Sequence, residues 1–316
     1  MPKRILGFVL ALGLSGCLSA AETPPASLVN DTAAASPESA AFFASLFAAK
    51  AARDLDATMS HFGLELQTEA DATHGSERRG YEALRTHWAE VMPRWPATAK
   101  SYPTRVLGDT NSAVIAFVDS PEIVRPAGGA EIRWLAAVDF KNGAITRWVG
   151  YWDATTIDGS LDAQLRVPAD RFVTDLREAA VGENATPLMQ MVSRRLHDAL
   201  AAGQAPAVAA LFSEDASYED ATLRTQVIGR AAIARYFART LDKLPFARGA
   251  QLRHVLGSDR GGGYEWRATT TSGALSGITA LVLDASGLVI RLTTVYDGRR
   301  FMQSDRQLLT SLALDP

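Results

Sequence analysis

The sequence predicts an α+β protein made of two copies of one small domain, each with N-terminal helices packed on a curved, mainly antiparallel sheet. Two observations predict the fold: an internal repeat, and a switch within each half from helical to alternating hydrophobic spacing. A length of 316 residues suits two ordinary domains. The repeat rests on spaced landmarks. Asp71-Ala72-Thr73 precedes Gly80, and Asp220-Ala221-Thr222 precedes Gly229, with nine residues from Asp to Gly in both cases. Ten residues separate Gly143 from Asp153 at the end of Tyr151-Trp152-Asp153, and ten separate Gly287 from Asp297 after Tyr296.

Taken from the N-terminus, Lys3 and Arg4 open an apolar run that ends in Leu14-Ser15-Gly16-Cys17. A basic start, a short apolar segment and small residues before a cut site make a secretory signal. The apolar stretch falls short of the ~20 residues needed to span a bilayer. Cys17 is the chain's one cysteine, so an internal disulfide and a multi-thiolate zinc site are both excluded. Residues 18–36 are small, polar and proline-containing, and read as a flexible tether.

The first domain is expected over 37–157, and the second over 185–302. In the second, Thr186-Pro187 is a helix start, a capping hydroxyl before an N1 proline. Met189, Val192, Leu196 and Leu200 then fall on one face. A short helix follows Pro206, then an Asp-containing loop, then a helix carrying Ile233, Tyr236, Phe237 and Leu241. Its counterpart in the first half carries Tyr81, Leu84 and Trp88. The period then changes to two through Tyr264–Ala268, Ile278–Val282 and Leu288–Tyr296, with hairpin turns at Asp284–Gly287 and, in the first copy, Asp139–Gly143. Gly261-Gly262-Gly263 reads as a turn. Residues 158–184 form a linker with a helix expected around 169–180, and 303–316 a C-terminal tail with one more helix.

Composition narrows the function classes. Apolar residues make up 47% of the chain and charged residues 21%, with a net charge of −3; nucleic acid as a partner is disfavoured, because phosphate binding needs a concentrated basic face. The five histidines show no metal-ligand spacing. No nucleotide loop and no nucleophile elbow stands out, so no metal and no cofactor is expected.

The run Phe212-Ser-Glu-Asp215-Ala-Ser-Tyr-Glu219-Asp220 leading to Gly229, with Asp54-Leu55-Asp56 running into Phe62 in the first half, resembles the ketosteroid isomerase-like and SnoaL-like domains of the nuclear transport factor 2-like superfamily. The Leu-Ser-Gly-Cys segment similarly resembles the lipobox of bacterial lipoproteins. The first resemblance covers both halves and implies two cone-shaped domains. It implies a carboxylate base at Asp220 and at Asp71, and the SnoaL-like cyclases suggest Asp153 as a further acid/base candidate. A carboxylate in an apolar pocket is a credible general base. The family's two oxyanion donors fall on Leu196 and Thr279, and on Leu46 and Leu135 in the first copy, so the base is retained without its partners. The Arg-x-Asp pair of the epoxide-hydrolase branch is not found. The lipobox implies acylation of Cys17 and, with Leu18 following, an outer-membrane anchor facing the periplasm.

Two roles stay open for Asp71 and Asp220: an Asx-turn closed on the local backbone, or a pocket-facing acid/base. Asp153 is either a pocket group or a plain strand end. Trp88, Tyr151, Leu196, Tyr236 and Thr279 are the candidate ligand contacts. The expected function is binding of a small hydrophobic or amphipathic ligand, the alternatives being an isomerase, cyclase or lyase, and an interaction module in which the two copies pack as an internal pseudo-dimer or the chain forms a homodimer.

Overall fold

The computed structural model describes residues 30–123, 130–270 and 273–314. Cys17 and the signal lie outside the described residues. Among these residues no helix is long and apolar enough to cross a membrane.

The first unit opens with β1 (Asp31–Ala35), α1 (Pro37–Ala52) and α2 (Leu55–Met59). Ser36 caps α1 by accepting Ser39 N at 3.1 Å, before a proline at N1, and Asp54 caps α2 by accepting Ala57 N at 2.9 Å. Then come β2 (Thr68–Asp71), β3 (Ser76–Arg78), α3 (Tyr81–Val91), β4 (Ser101–Gly108), β5 (Ser112–Asp119), β6 (Ile132–Lys141) and β7 (Ala144–Tyr151). The connection holds α4 (Gly159–Leu165), a 3-10 turn at Ala169–Arg171 and α5 (Glu178–Val181). The second unit repeats the first: α6 (Pro187–Ala201), α7 (Ala205–Ala209), β8 (Phe212–Asp220), β9 (Thr225–Ile228), α8 (Arg230–Thr240), β10 (Gln251–Gly257), β11 (Gly261–Thr270), β12 (Gly273–Leu283) and β13 (Val289–Tyr296), closed by α9 (Gln303–Leu314).

The sheets have the orders β1-β4-β5-β6-β7-β2-β3 and β10-β11-β12-β13-β8-β9. Leaving out β1, the two orders are the same. The duplication seen in the sequence is therefore a duplication of topology. Gly80 and Gly229, the spaced landmarks, sit at φ 84° and 89° immediately before α3 and α8. An L side chain is strained there, which explains a glycine at both turns.

Several local expectations are corrected. The tether assigned to 18–36 includes β1, which pairs parallel with β4 from Asp31↔Arg105 to Ala35↔Gly108; backbone pairing at a sheet edge needs no apolar pattern, so composition hid it. The helix expected around 169–180 is replaced by α4, the 3-10 turn and α5. The loop before Asp220 is strand β8, lying parallel to β13. With β1/β4 and β2/β7 also parallel, both sheets are mixed. The Gly261–Gly263 turn is the start of β11: a Cβ on Gly262 would lie 2.1 Å from Leu256 O, and one on Gly263 2.1 Å from Thr279 O. These glycines allow close strand approach rather than a bend.

Period-2 alternation gives each sheet two apolar faces. One face packs under its own helices: Phe43, Leu46, Ile115 and Ile145 in the first unit, Leu196, Tyr236, Phe237 and Leu292 in the second. The other faces meet each other, with Leu107, Val114, Leu135, Val149 and Tyr151 against Leu256, Ile278, Ala280 and Val295. Buried polar groups cross this apolar seam. Asp139 accepts from Arg147 Nη1 at 3.2 Å and lies 2.9 Å from His254 Nε2, Arg147 Nε donates to Leu176 O at 2.7 Å, and Tyr151 OH donates to Glu265 at 2.7 Å.

Candidate functional site

In the first unit, the helices stand off the sheet and leave a cavity of about 200 Å³. β5, β6 and β7 supply its aromatic wall through Phe117, Trp134 and Trp148, with Phe117 and Trp134 stacked at 5.6 Å and 2° between planes. Gly150 makes room for this arrangement, since a Cβ there would lie 2.9 Å from the Trp134 ring. Helix α1 sends Leu46, Phe47 and Lys50 into the cavity, and α3 sends His87 and Trp88. Burial, reinforced by the nearby Arg78 charge, lowers the His87 pKa, which favours the neutral imidazole.

Lys50 enters an aromatic cage, with its Nζ 5.3–5.8 Å from the ring centroids of Phe47, Trp88, Trp95 and Phe117. It donates to Ser101 Oγ at 2.9 Å and lies 3.6 Å from Asp119 Oδ1. Elsewhere on the lining, Glu69 and Arg78 pair at 2.8 Å.

Asp71 lines the same cavity. Its Oδ1 accepts from Thr73 N at 2.9 Å, His74 N at 3.1 Å and Trp152 Nε1 at 3.1 Å, and its Oδ2 is 3.5 Å from His74 Nδ1. Burial raises its pKa, against the opposing pull of His74 and the donated hydrogen bonds. The Asx-turn and the pocket position thus coexist in one carboxylate. Behind it, His74 Nε2 lies 3.1 Å from Asp162 Oδ1, and Arg166 joins Asp162 to Asp297 of the second unit at 2.8 Å each.

The equivalent space in the second unit is occupied by its own side chains. Matching the strand registers sets Lys50 against Leu200, Asp119 against Ala268, His87 against Tyr236, Glu69 against Tyr218 and Trp134 against Gly277. Polar lining becomes apolar bulk, with Tyr218 packed on Tyr236 and Trp266 on Tyr296. Asp220 is fully buried there. Its Oδ1 accepts Thr222 N at 3.0 Å and Leu223 N at 2.9 Å, while its Oδ2 accepts Tyr296 OH at 3.1 Å and Tyr218 OH at 3.4 Å. Burial pushes its pKa up to about 7 despite these four donors.

Of the residues singled out in the sequence, the structure brings Asp71 and Trp88 together in one cavity, and sets Asp153 and Asp220 on the lining of a second, of about 740 Å³. It places the others elsewhere. Tyr151 points into the seam between the sheets, because it lies one strand position from the inward-facing Gly150. Leu196 and Tyr236 are second-unit core, and Thr279 is buried with its Oγ1 3.3 Å from that of Thr294. The register also makes Ala136, not Leu135, the counterpart of Thr279, since Ala136 pairs Gly150 as Thr279 pairs Thr294. Asp153 is a joint between the units: it is 5% exposed, and its Oδ1 caps the 3-10 turn at Thr155 N (3.1 Å) and accepts Gly298 N (3.1 Å). Lys50, Asp119, His87, Glu69 and Arg78 escaped sequence reading. The signal available was contrast between the copies, a Lys and an Asp where the partner copy has Leu and Ala. Among the described residues no cluster of three or more His, Cys, Asp or Glu side chains could hold a metal ion.

Residues 193–300 match the family model of the SnoaL-like domain. No curated protein matches the chain. Among solved structures, the chain is similar to a cystatin-like-fold protein from Silicibacter pomeroyi, at 16% identity and TM-score 0.34 over 40% of this chain and 86% of that one. It is also similar to a putative ketosteroid isomerase from Kribbella flavida, at 23% identity and TM-score 0.30 over 35% and 78%. A third is a steroid delta-isomerase from Pseudomonas aeruginosa, at 15% identity and TM-score 0.33 over 42% and 93%. Residues 193–300 are thus similar to a SnoaL-like domain, and the strand order of that half recurs in the sheet of the first unit.

Proposed function

We propose that the chain is a membrane-anchored lipoprotein, held through acylated Cys17 at the outer membrane facing the periplasm, whose first unit binds a small apolar or amphipathic molecule. The observation that carries this reading is the contrast between the units. One has a cavity walled by Phe117, Trp134 and Trp148 with charged groups at its edge, and the other fills the same space with tyrosines and Trp266. Concave, mostly apolar sites with a few placed polar groups are the usual form of a small-molecule site. In this reading the second unit is a scaffold, and the two units form an internal pseudo-dimer across their sheets. Native mass spectrometry of the protein starting at Ser19 tests it by looking for a co-purified small molecule. Ligand-free protein that also fails to bind any apolar probe contradicts it.

A second reading is favoured by one observation: Asp71 lines the cavity with its pKa raised by burial, as suits a general base. Under this reading the first unit is an isomerase, cyclase or lyase with Asp71 as its acid/base. A turnover lost in Asp71→Asn and kept in Asp220→Asn supports it; a turnover unchanged in both rules it out.

A further inference from the structure

The head group that the first-unit pocket selects is written in two of its residues. Lys50 carries three N–H donors. Ser101 takes one, and Asp119 Oδ1, at 3.6 Å, is too far to be hydrogen-bonded to the ammonium. Asp119 is 7% exposed, and its Oδ1 is buried without any hydrogen-bond partner. A buried acceptor left unmet is costly, and such groups call for a ligand or an equivalent donor. Both residues line the cavity. The pocket therefore presents an open donor and an unmet acceptor side by side, with their charges already opposed.

Taking the pocket as a binding site, as proposed above, we infer that it selects a small monocyclic molecule with a neutral head that both accepts and donates, a hydroxyl or a primary amide. The oxygen of such a head takes a proton donor from Lys50, and its O–H or N–H serves Asp119 Oδ1. Atoms 3.6 Å apart can each lie within ~3 Å of one hydroxyl oxygen. A carboxylate head would meet Lys50 but press its charge on Asp119, and an ammonium head would do the reverse. The remaining charged lining groups are already engaged, Glu69 with Arg78 at 2.8 Å, and Asp71 with three donors on Oδ1. Size limits the body. An apolar cavity of ~150 Å³ holds one benzene ring, so about 200 Å³ encloses a single substituted ring. The stacked Phe117 and Trp134 pair offers that ring a flat wall.

The test is calorimetric titration of the protein with five probes sharing one ring: toluene, benzyl alcohol, benzamide, benzoate and benzylamine. Benzyl alcohol and benzamide are expected to bind about tenfold tighter than toluene, the worth of one buried hydrogen bond, and benzoate and benzylammonium no tighter than toluene. Asp119→Asn leaves Lys50 without its counter-charge, so benzoate becomes the tightest probe, with folding checked by thermal unfolding. Should that variant not fold, Lys50→Met is read instead, and the preference of benzyl alcohol over toluene falls below about twofold. Benzoate binding tightest to the unaltered protein, or head groups making no difference while toluene binds, overturns this inference and leaves the binding reading intact. If none of the five probes binds, the binding reading falls and this inference with it.

Discussion

Arg147 Nη2 of the first unit lies 2.9 Å and 2.7 Å from the two carboxylate oxygens of Glu265 in the second, with neither side chain more than 2% exposed. Burial alone would lower the guanidinium pKa; the nearby charges of Glu265 and Asp139 and the hydrogen bond to Glu265 together outweigh it and raise the pKa. With Asp139 and His254 at 2.9 Å beside it, this pair ties β7 to β11 and β6 to β10 across the seam.

Removing one member strands the other in the seam. Glu265→Leu or Arg147→Met is expected to cost about 3–5 kcal/mol of stability. The double substitution is expected to cost less than the sum, since neither charge is then left facing the seam alone, while Asp139, Leu176 O and Tyr151 OH each still lose a partner. Chemical denaturation of the four proteins forms the cycle; additive losses would show that the two residues act independently.

Asp220 gives a pH signature. Its folded pKa of about 7 lies above the ordinary 3.8, so the folded state binds more protons than the unfolded one between those values. The stability is full below about 4 and is lost as pH rises through about 7. Asp220→Asn, which keeps the oxygen that accepts Thr222 N and Leu223 N, is expected to remove this fall. Relative to the unaltered protein it gains on the order of a few kcal/mol at pH 8 compared with pH 4. Unfolding followed at both pH values checks this, and an equal effect at both contradicts it.

Asp153→Ala separates a joint from a pocket residue. It removes the acceptor of Thr155 N and Gly298 N, at an expected cost of about 1–3 kcal/mol, with ligand binding unchanged. A loss of affinity with no loss of stability would return Asp153 to the site.

Gly150→Ala tests the cavity wall. The new Cβ displaces Trp134, whose ring it would meet at 2.9 Å, and overpacking of this kind costs about 1–3 kcal/mol. Affinity for an aromatic probe is expected to fall about tenfold, read by tryptophan fluorescence, a loss that the same order of energy would produce. Unchanged affinity would put the ligand elsewhere.

The fold was legible because it was written twice. Asp71 and Asp220, Gly80 and Gly229, and the alternation of the late strands each recur at a spacing that the shared topology requires. Strand β1 was not legible, because backbone pairing at a sheet edge makes little demand on side chains, and β8, set between β13 and β9, was hidden by the polar residues Ser213, Glu214 and Asp215 in its first half. Asp71 could be picked as a carboxylate before a turn, but whether it faced a cavity depended on the bulk opposite it. That bulk is Lys50, His87 and Asp119 in one unit and Leu200, Tyr236 and Ala268 in the other. Tyr151 was misplaced for a related reason: alternation sorts residues between two faces, and here both faces are buried, one toward the cavity and one toward the second unit.

The central claim is that one unit binds and the other supports it. Native mass spectrometry of three proteins tests it most directly: the unaltered chain from Ser19, Ser76→Trp at the half-buried rim of the cavity, and Asp220→Asn, each saturated with an aromatic alcohol. One bound molecule per chain in the first and third, and none in the second, is the predicted result. Two bound molecules per chain, or binding that survives Ser76→Trp and is lost in Asp220→Asn, would contradict it.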